Sequence, residues 1–215
     1  SAKGSCERVC FTGGTFTHAA NGSKKVTENI EFPDHKVAIE VVLKDLEANG
    51  VKIEGIGHRI VQGGWYFGDS SLVDEDVLAK IREVAPLAPL HNNPEANVIE
   101  YCLEQYPDLP NVTVYDTALF NMPEVAKTYA LPKDVCDKLH IRKYGAHGTS
   151  HRYIAERAAA FMDEPLEDLK LITCHLGNGC SISAIDTALA VATSMVVIAR
   201  AIGRSDGTGS RHSTR

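Results

Sequence analysis

The spacing of apolar residues sets the first expectations. From Arg8 to Ile30, apolar and polar residues alternate around Gly13-Gly14 and Asn21-Gly22, which predicts short strands joined by turns. Behind Pro33-Asp34 the period changes. Ala38, Ile39, Val42, Leu43 and Leu46 fall on one helical face, and Asn49-Gly50 supplies a stop. Residues 51–61 read as a strand, and a second helix follows Asp74 through Val77, Leu78, Ile81 and Val84. Residues 85–94 read as a loop, because Pro86, Pro89 and Pro94 each remove a backbone donor, and a short helix is expected over 97–103. Asn111–Tyr115 is a β-branched run ending in Asp116. A helix is expected from Thr149 or Ser150 through Ala160. After it, residues 169–174 read as a buried strand that turns through Gly177-Asn178-Gly179 into a partner strand over 181–185. The sum is an α/β chain.

Composition narrows the function classes. The 215 residues are 44% hydrophobic and 23% charged, ordinary for a folded soluble chain, which excludes disorder as the default state. With 22 Lys+Arg against 28 Asp+Glu the net charge is −6, which argues against a nucleic-acid partner. No stretch approaches the length of a membrane span and no basic-then-apolar leader opens the chain, so the expected setting is cytoplasmic, without a membrane partner. None of the six cysteines forms a Cys-x-x-Cys pair, and all read as free thiols. The charge is uneven along the chain: 18 basic against 26 acidic residues up to Ile185, then four arginines against two aspartates. The body is therefore −8 and the tail +2, and residues 186–215 are expected to be a divergent, poorly ordered tail.

Four places carry candidate chemistry. Arg59, in Gly57-His58-Arg59-Ile60-Val61, is a charge in an apolar run; it is either a fork for a carboxylate or phosphate, or half of a structural ion pair. Asp116, at a strand end, suits orienting an arginine, holding a cation through water, or proton transfer; capping a turn with Thr117 is the plain alternative. In Tyr144-Gly-Ala-His-Gly-Thr-Ser-His151, glycines bring backbone close to a ligand, Thr149 or Ser150 caps a helix, and His147 stands at its positive end. His147 and His151 also have the spacing of a metal pair, but the glutamate of a zinc-protease motif is replaced by Gly148. Last, His175-Leu-Gly-Asn-Gly179 is a tight hairpin turn whose glycines supply positive φ; taken alone it is a turn and nothing more.

Together and in this order the four resemble the acetate kinase family (acetate, propionate and butyrate kinases), within the actin/hexokinase/Hsp70-like superfold. The matching text is Gly57-His-Arg-Ile-Val61, Leu87-Ala-Pro-Leu-His-Asn92, Tyr115-Asp-Thr-Ala118, Arg142-Lys-Tyr-Gly-Ala-His-Gly-Thr-Ser-His151, and Leu169-Lys-Leu-Ile-Thr-Cys-His-Leu-Gly-Asn-Gly179. The resemblance runs from about Cys6 to Ile185.

The resemblance implies ATP-dependent phosphorylation of acetate, giving acetyl phosphate and ADP, with Mg2+, in a family whose full-length members are homodimers. It implies Asp116, His147 and Arg204 as catalytic, Arg59, Val61, Leu90 and His91 as substrate-binding, and His175, Leu176, Gly177, Asn178 and Gly179 as nucleotide-binding, with no protein metal ligand in this chain. It further implies an incomplete fold: a truncated N-terminal lobe over 1–145, the start of a second lobe over 146–185, and the tail 186–215. Thr193-Ser194-Met195 is present, but the family's following glycine and proline are not. Ala146 replaces a phenylalanine before the histidine, which leaves room for a longer acid such as propionate. The competing expectation is a catalytically inactive fragment acting at most as a binding module.

Overall fold

The first alternating stretch folds as an antiparallel meander, β1 (Ala2–Glu7), β2 (Thr15–Ala20) and β3 (Val26–Asn29), in a computed structural model that describes residues 2–195. The chain divides into two compact units, one formed by the chain up to Gly63 with Asp69–Tyr115, the other by Gly64–Gly68 with the chain from Asp116 onward. The boundary between the units falls at Asp116. The reason is local: residues after Asp116 bond to later ones, with the Ala190 amide on the Leu119 carbonyl and the Gly148 amide on the Asp116 carbonyl.

In the first unit, Asp34 accepts a hydrogen bond from the Val37 amide (2.9 Å) and starts α1 (His35–Ala48). Asp74 does the same for Val77 (2.8 Å) at the head of α2 (Glu75–Val84). Between them β4 (Ile56–Ile60) forms, shorter than the 51–61 strand expected. Beyond a 3-10 turn at Ala85–Leu87 comes α3 (Pro89–Gln105), where the sequence predicts a loop to residue 94. Pro89 stands in the first turn, where its missing N–H would have no partner. Pro94 lies inside the helix and removes one bond, but the buried face of Asn92, Ala96, Ile99 and Cys102 holds the helix together. β4 then pairs in parallel with β6 (Asn111–Tyr115), and β5 (Ser71–Leu72) lies antiparallel on the far side of β6. Ile60, Ile81, Val84, Ala96, Ile99 and Tyr115 form the buried interior of this unit; Phe16, Phe32 and Ala38 make a second cluster under the meander.

The second unit carries α4 (Glu124–Lys127), α5 (Lys133–Leu139) and α6 (Gly148–Met162), then an antiparallel sheet of β7 (Lys170–Leu176), β8 (Cys180–Asp186) and β9 (Leu189–Thr193). Leu119, Ala155, Ile185 and Ala190 form its core. β7 is not a buried strand. Thr173 is its one buried residue, and Ile172 is 70% exposed. β9 also departs from expectation, since it belongs to the stretch expected to be poorly ordered. Thr187 and Ala188 both take positive φ (48° and 65°), which reverses the chain onto β8 and seats Ala190 in the core. Residues 196–215 lie outside the described ones. All six cysteines are free, and among the described residues no helix is long and apolar enough to cross a membrane.

Candidate active site

β4 alternates in the first unit: His58 and Ile60 point inward, Gly57 and Arg59 outward. Arg59 therefore stands on the exposed face of the strand and is not a buried charge. It lines a cavity of about 470 Å3 with His58, Leu90, His91, Glu95 and Val98. Three of the four expected substrate residues thus share one cavity. Leu90 is 85% exposed in the first turn of α3. Val61 is not among the lining residues; its amide donates to Glu95 Oε2 (3.2 Å). The end of β4 is tied to α3 by a reciprocal pair: the Gln62 amide donates to Asn92 Oδ1 (3.1 Å), and Asn92 Nδ2 donates back to the Gln62 carbonyl (2.8 Å).

His58 lies below Arg59 with its Nε2 2.8 Å from Asn111 Oδ1. Asn111 Nδ2 donates to the Leu109 carbonyl, so its Oδ1 faces the ring and His58 Nε2 carries the hydrogen. Burial pushes the His58 pKa below the usual histidine value, and the Asn111 bond opposes this.

In the second unit Asp116 is 1% exposed, and Thr149 Oγ1 donates to its Oδ1 (2.7 Å). The Gly148 amide donates to the Asp116 carbonyl (2.9 Å). A methyl at Gly148 would stand 2.2 Å from that oxygen, so only glycine lets the helix start this close to the strand end. The helix cap is His147 itself, in the left-handed region (φ 61°) and without a side-chain cap bond, not Thr149 or Ser150. Those two hydroxyls have other partners: Thr149 meets Asp116, and Ser150 Oγ lies 2.9 Å from His175 Nδ1.

Three imidazoles gather here. His147 stacks on His175 with centroids 4.1 Å apart, and His151 lies 6.4 Å from His175. His147 Nδ1 is 2.8 Å from Ser181 Oγ, His151 Nε2 is 2.9 Å from the same oxygen, and His151 Nδ1 is 2.8 Å from Thr173 Oγ1. His151 is 1% exposed. Burial first, then the neighbouring His147 and His175, push its pKa below the usual value, against a smaller pull upward from Asp116.

The hairpin at Gly177–Gly179 is closed by the Gly177 amide donating to the Gly179 carbonyl (3.0 Å). Its glycines are not needed for positive φ, which neither adopts. Imidazoles crowd them instead: a methyl at Gly179 would be 2.9 Å from His147 Nε2, where something must shift, and one at Gly177 would make a tight 3.1 Å contact with His175 Nε2. So the second unit brings Asp116, His147, His175 and the hairpin into one neighbourhood, while Arg59, Leu90 and His91 share a cavity of the first. Arg204 lies outside the described residues.

Ser181 and Thr173 went unread as site residues, and Ser150 was read only as a candidate helix cap. The available signal was a pair of hydroxyls two positions apart in β8, where Ser181 and Ser183 are both 1% exposed. Among the described residues no group of three or more His, Cys, Asp or Glu is placed to hold a metal ion, and hydroxyls engage both nitrogens of His151. Hydroxyls at both ring nitrogens of His151 do not suit a zinc pair with His147.

The architecture is mixed α/β of the actin/hexokinase/Hsp70-like class. Its solved neighbours include an acetate kinase from Porphyromonas gingivalis (TM-score 0.82, 36% identity, covering 91% of this chain and 51% of that one). A propionate kinase from Francisella tularensis gives a TM-score of 0.84 at 38% identity, with the same coverage of each chain. The acetate kinase of Moorella thermoacetica is 50% identical over 202 residues, 90% of this chain and 51% of that protein. The acetokinase family profile matches residues 1–201, and the chain belongs to that family. The match continues past Ile185, where the charge balance had suggested a break. The chain spans about half the length of the curated relatives it matches.

Proposed function

We propose that the protein containing this chain transfers the γ-phosphoryl group of ATP to acetate. A carboxylate oxygen attacks the γ-phosphorus, the bond from that phosphorus to the β,γ-bridging oxygen breaks, and acetyl phosphate and ADP leave; the reaction runs in either direction. One observation carries the reading: in a member of the acetokinase family, buried Asp116, the cap residue His147 and the His175–Gly179 hairpin converge within one unit.

The chemistry asks for positioning and charge neutralisation more than for covalent steps. Arg59 pairs with the substrate carboxylate at the mouth of its cavity, with Leu90, His91 and Val61 serving the acyl end. His147 donates to the phosphoryl oxygens, where charge is greatest in transit. Asp116 anchors the start of α6 through Gly148 and Thr149 and so fixes where His147 stands. The hairpin from His175 through Leu176, Gly177 and Asn178 to Gly179 serves the nucleotide phosphates, and Arg204 assists the phosphoryl group. Mg2+ would arrive with ATP and screen its phosphates; no step here is assigned to it. The setting is cytoplasmic and the full-length protein a homodimer.

Propionate is the second substrate reading. Ala146, buried at 5% exposure, is a small side chain beside His147, and one structural neighbour is a propionate kinase. Both readings are tested by trapping acyl phosphate as the hydroxamate, using the product of the whole reading frame with Mg-ATP and either acid. Hydroxamate that disappears in Arg59→Ala supports the proposal. No hydroxamate from either acid rejects it. The 215-residue chain assayed alone then separates an active half from an inactive one.

A further inference from the structure

Beside the histidine cluster, the second unit holds a cavity of about 310 Å3 to which the proposed reaction gives no role. Phe67, Met122 and Leu189 form its apolar wall, and Lys127, Arg142 and Lys143 line it with positive charge. No Asp or Glu among the described residues lines it. The Lys143 amide donates to the Lys127 carbonyl (2.8 Å), which ties together the two segments that carry these cations. Phe120 is the wall toward the histidines. It lines the cavity, lies edge-on to His151 at 6.4 Å, and presses on Gly145, where a methyl would stand 2.3 Å from its ring. Neither the three imidazoles nor the hairpin glycines line the cavity.

The charges here are not balanced from within. Lys127 Nζ pairs with Glu124 Oε2 (2.9 Å), so that charge is met. Arg142 and Lys143 have no ion-pair partner among the described residues. Arg142 is held by stacking instead. Its Cζ lies 4.7 Å from the centroid of the Tyr144 ring, which is buried and fixed by its hydroxyl donating to the His140 carbonyl (2.8 Å). The Arg142 Nε is buried and has no hydrogen-bond partner among the described residues. An unmet donor costs stability, so the fold alone gives no reason to keep a guanidinium there. An adjoining cavity of about 420 Å3 shares Lys127, Arg142 and Tyr144, but Glu124 and Asp137 line it and repel an anion. The side without acids is the one where an anion settles.

We propose that this cavity binds a tetrahedral dianion, inorganic phosphate or the phosphate of a small monoester, at Arg142 and Lys143. The planar fork of Arg142 suits two phosphate oxygens, and Lys143 adds a point charge. Two negative charges match the two cations that no acid meets. The apolar wall suits the carbon part of an ester. This site lies beyond the phosphoryl-transfer reading and does not depend on it.

The test is calorimetric titration of the 215-residue chain with inorganic phosphate and, separately, with phenyl phosphate. It is run at slightly alkaline pH, where both are dianions, and at an ionic strength fixed with sodium chloride so that screening stays constant. The expected result is saturable binding that His147→Gln retains and that Arg142→Gln weakens by about tenfold or more. Arg142→Gln also gives up the stack on Tyr144, so Lys143→Gln is the second variant; it leaves the stack in place and should weaken binding several-fold. Tighter binding of phenyl phosphate names an ester as the ligand, and tighter binding of inorganic phosphate names the free ion. A wild-type chain that binds neither probe overturns the proposal. Binding that Arg142→Gln or Lys143→Gln leaves at wild-type strength overturns it too, as does binding that His147→Gln abolishes, which would belong to the phosphoryl site.

Discussion

A methyl group on Gly179 would stand 2.9 Å from both Nε2 and Cε1 of His147. The ring edge and the hairpin backbone are thus in direct contact, and the glycine exists for the histidine. Gly179→Ala has to push the imidazole or the hairpin aside by a few tenths of an ångström or more. Because small displacements of a reacting group are expensive, phosphoryl transfer should fall by about 100-fold in kcat. The thermal unfolding midpoint should move little, since a side chain can yield. Hydroxamate kinetics beside a melting curve check both halves.

Gly148→Ala should behave in the opposite way. Its added methyl meets backbone, the Asp116 carbonyl oxygen at 2.2 Å, and disrupts the hydrogen bond that the residue 148 N–H donates to that same oxygen. Overpacking and a lost hydrogen bond together should cost about 2–4 kcal/mol. The check is the urea midpoint at unchanged m-value.

The elements with local signals were legible. The run to Tyr115 followed by Asp116 and the Gly-Asn-Gly hairpin lie where the sequence puts them, and the helix expected from Thr149 or Ser150 starts slightly earlier, at Gly148. What was not legible depends on tertiary contact. Pro89 and Pro94 speak for a loop, yet α3 runs through both, because the buried face from Asn92 to Cys102 decides the matter. The need for glycine at 179 was misread as turn geometry, since nothing in the text places an imidazole beside it. β9 was hidden by tail composition, although Ala190 is among the most buried residues of its unit. Arg59 stands on the outward face of β4, a placement that the apolar text around it does not announce.

The buried side of α3 gives a third prediction. Ile99 is fully buried, and Ile99→Ala leaves a cavity between helix and sheet, costing about 2–5 kcal/mol. A urea midpoint that does not move would mean that the helix running through Pro94 is not packed as described.

Stability should fall in mild acid. His58 and His151 both have folded-state pKa values below the ordinary histidine value of about 6.5, so the unfolded chain binds more protons than the folded one near that pH. Their contribution is fully present above the unfolded value and is lost as pH drops through the folded values. Unfolding free energy measured from pH 7.5 down to 5 should decline, and His58→Gln should flatten the decline. A slope of the opposite sign would show that one of the rings is charged in the native state.

The most direct test follows the reverse reaction by 31P NMR, with acetyl phosphate and Mg-ADP supplied to the product of the whole reading frame. The account predicts a growing γ-phosphate signal of ATP, slowed by about 100- to 1,000-fold in His147→Ala, the usual effect of deleting one donor to a transition-state oxygen. A His147→Ala protein that makes ATP at the wild-type rate would contradict it.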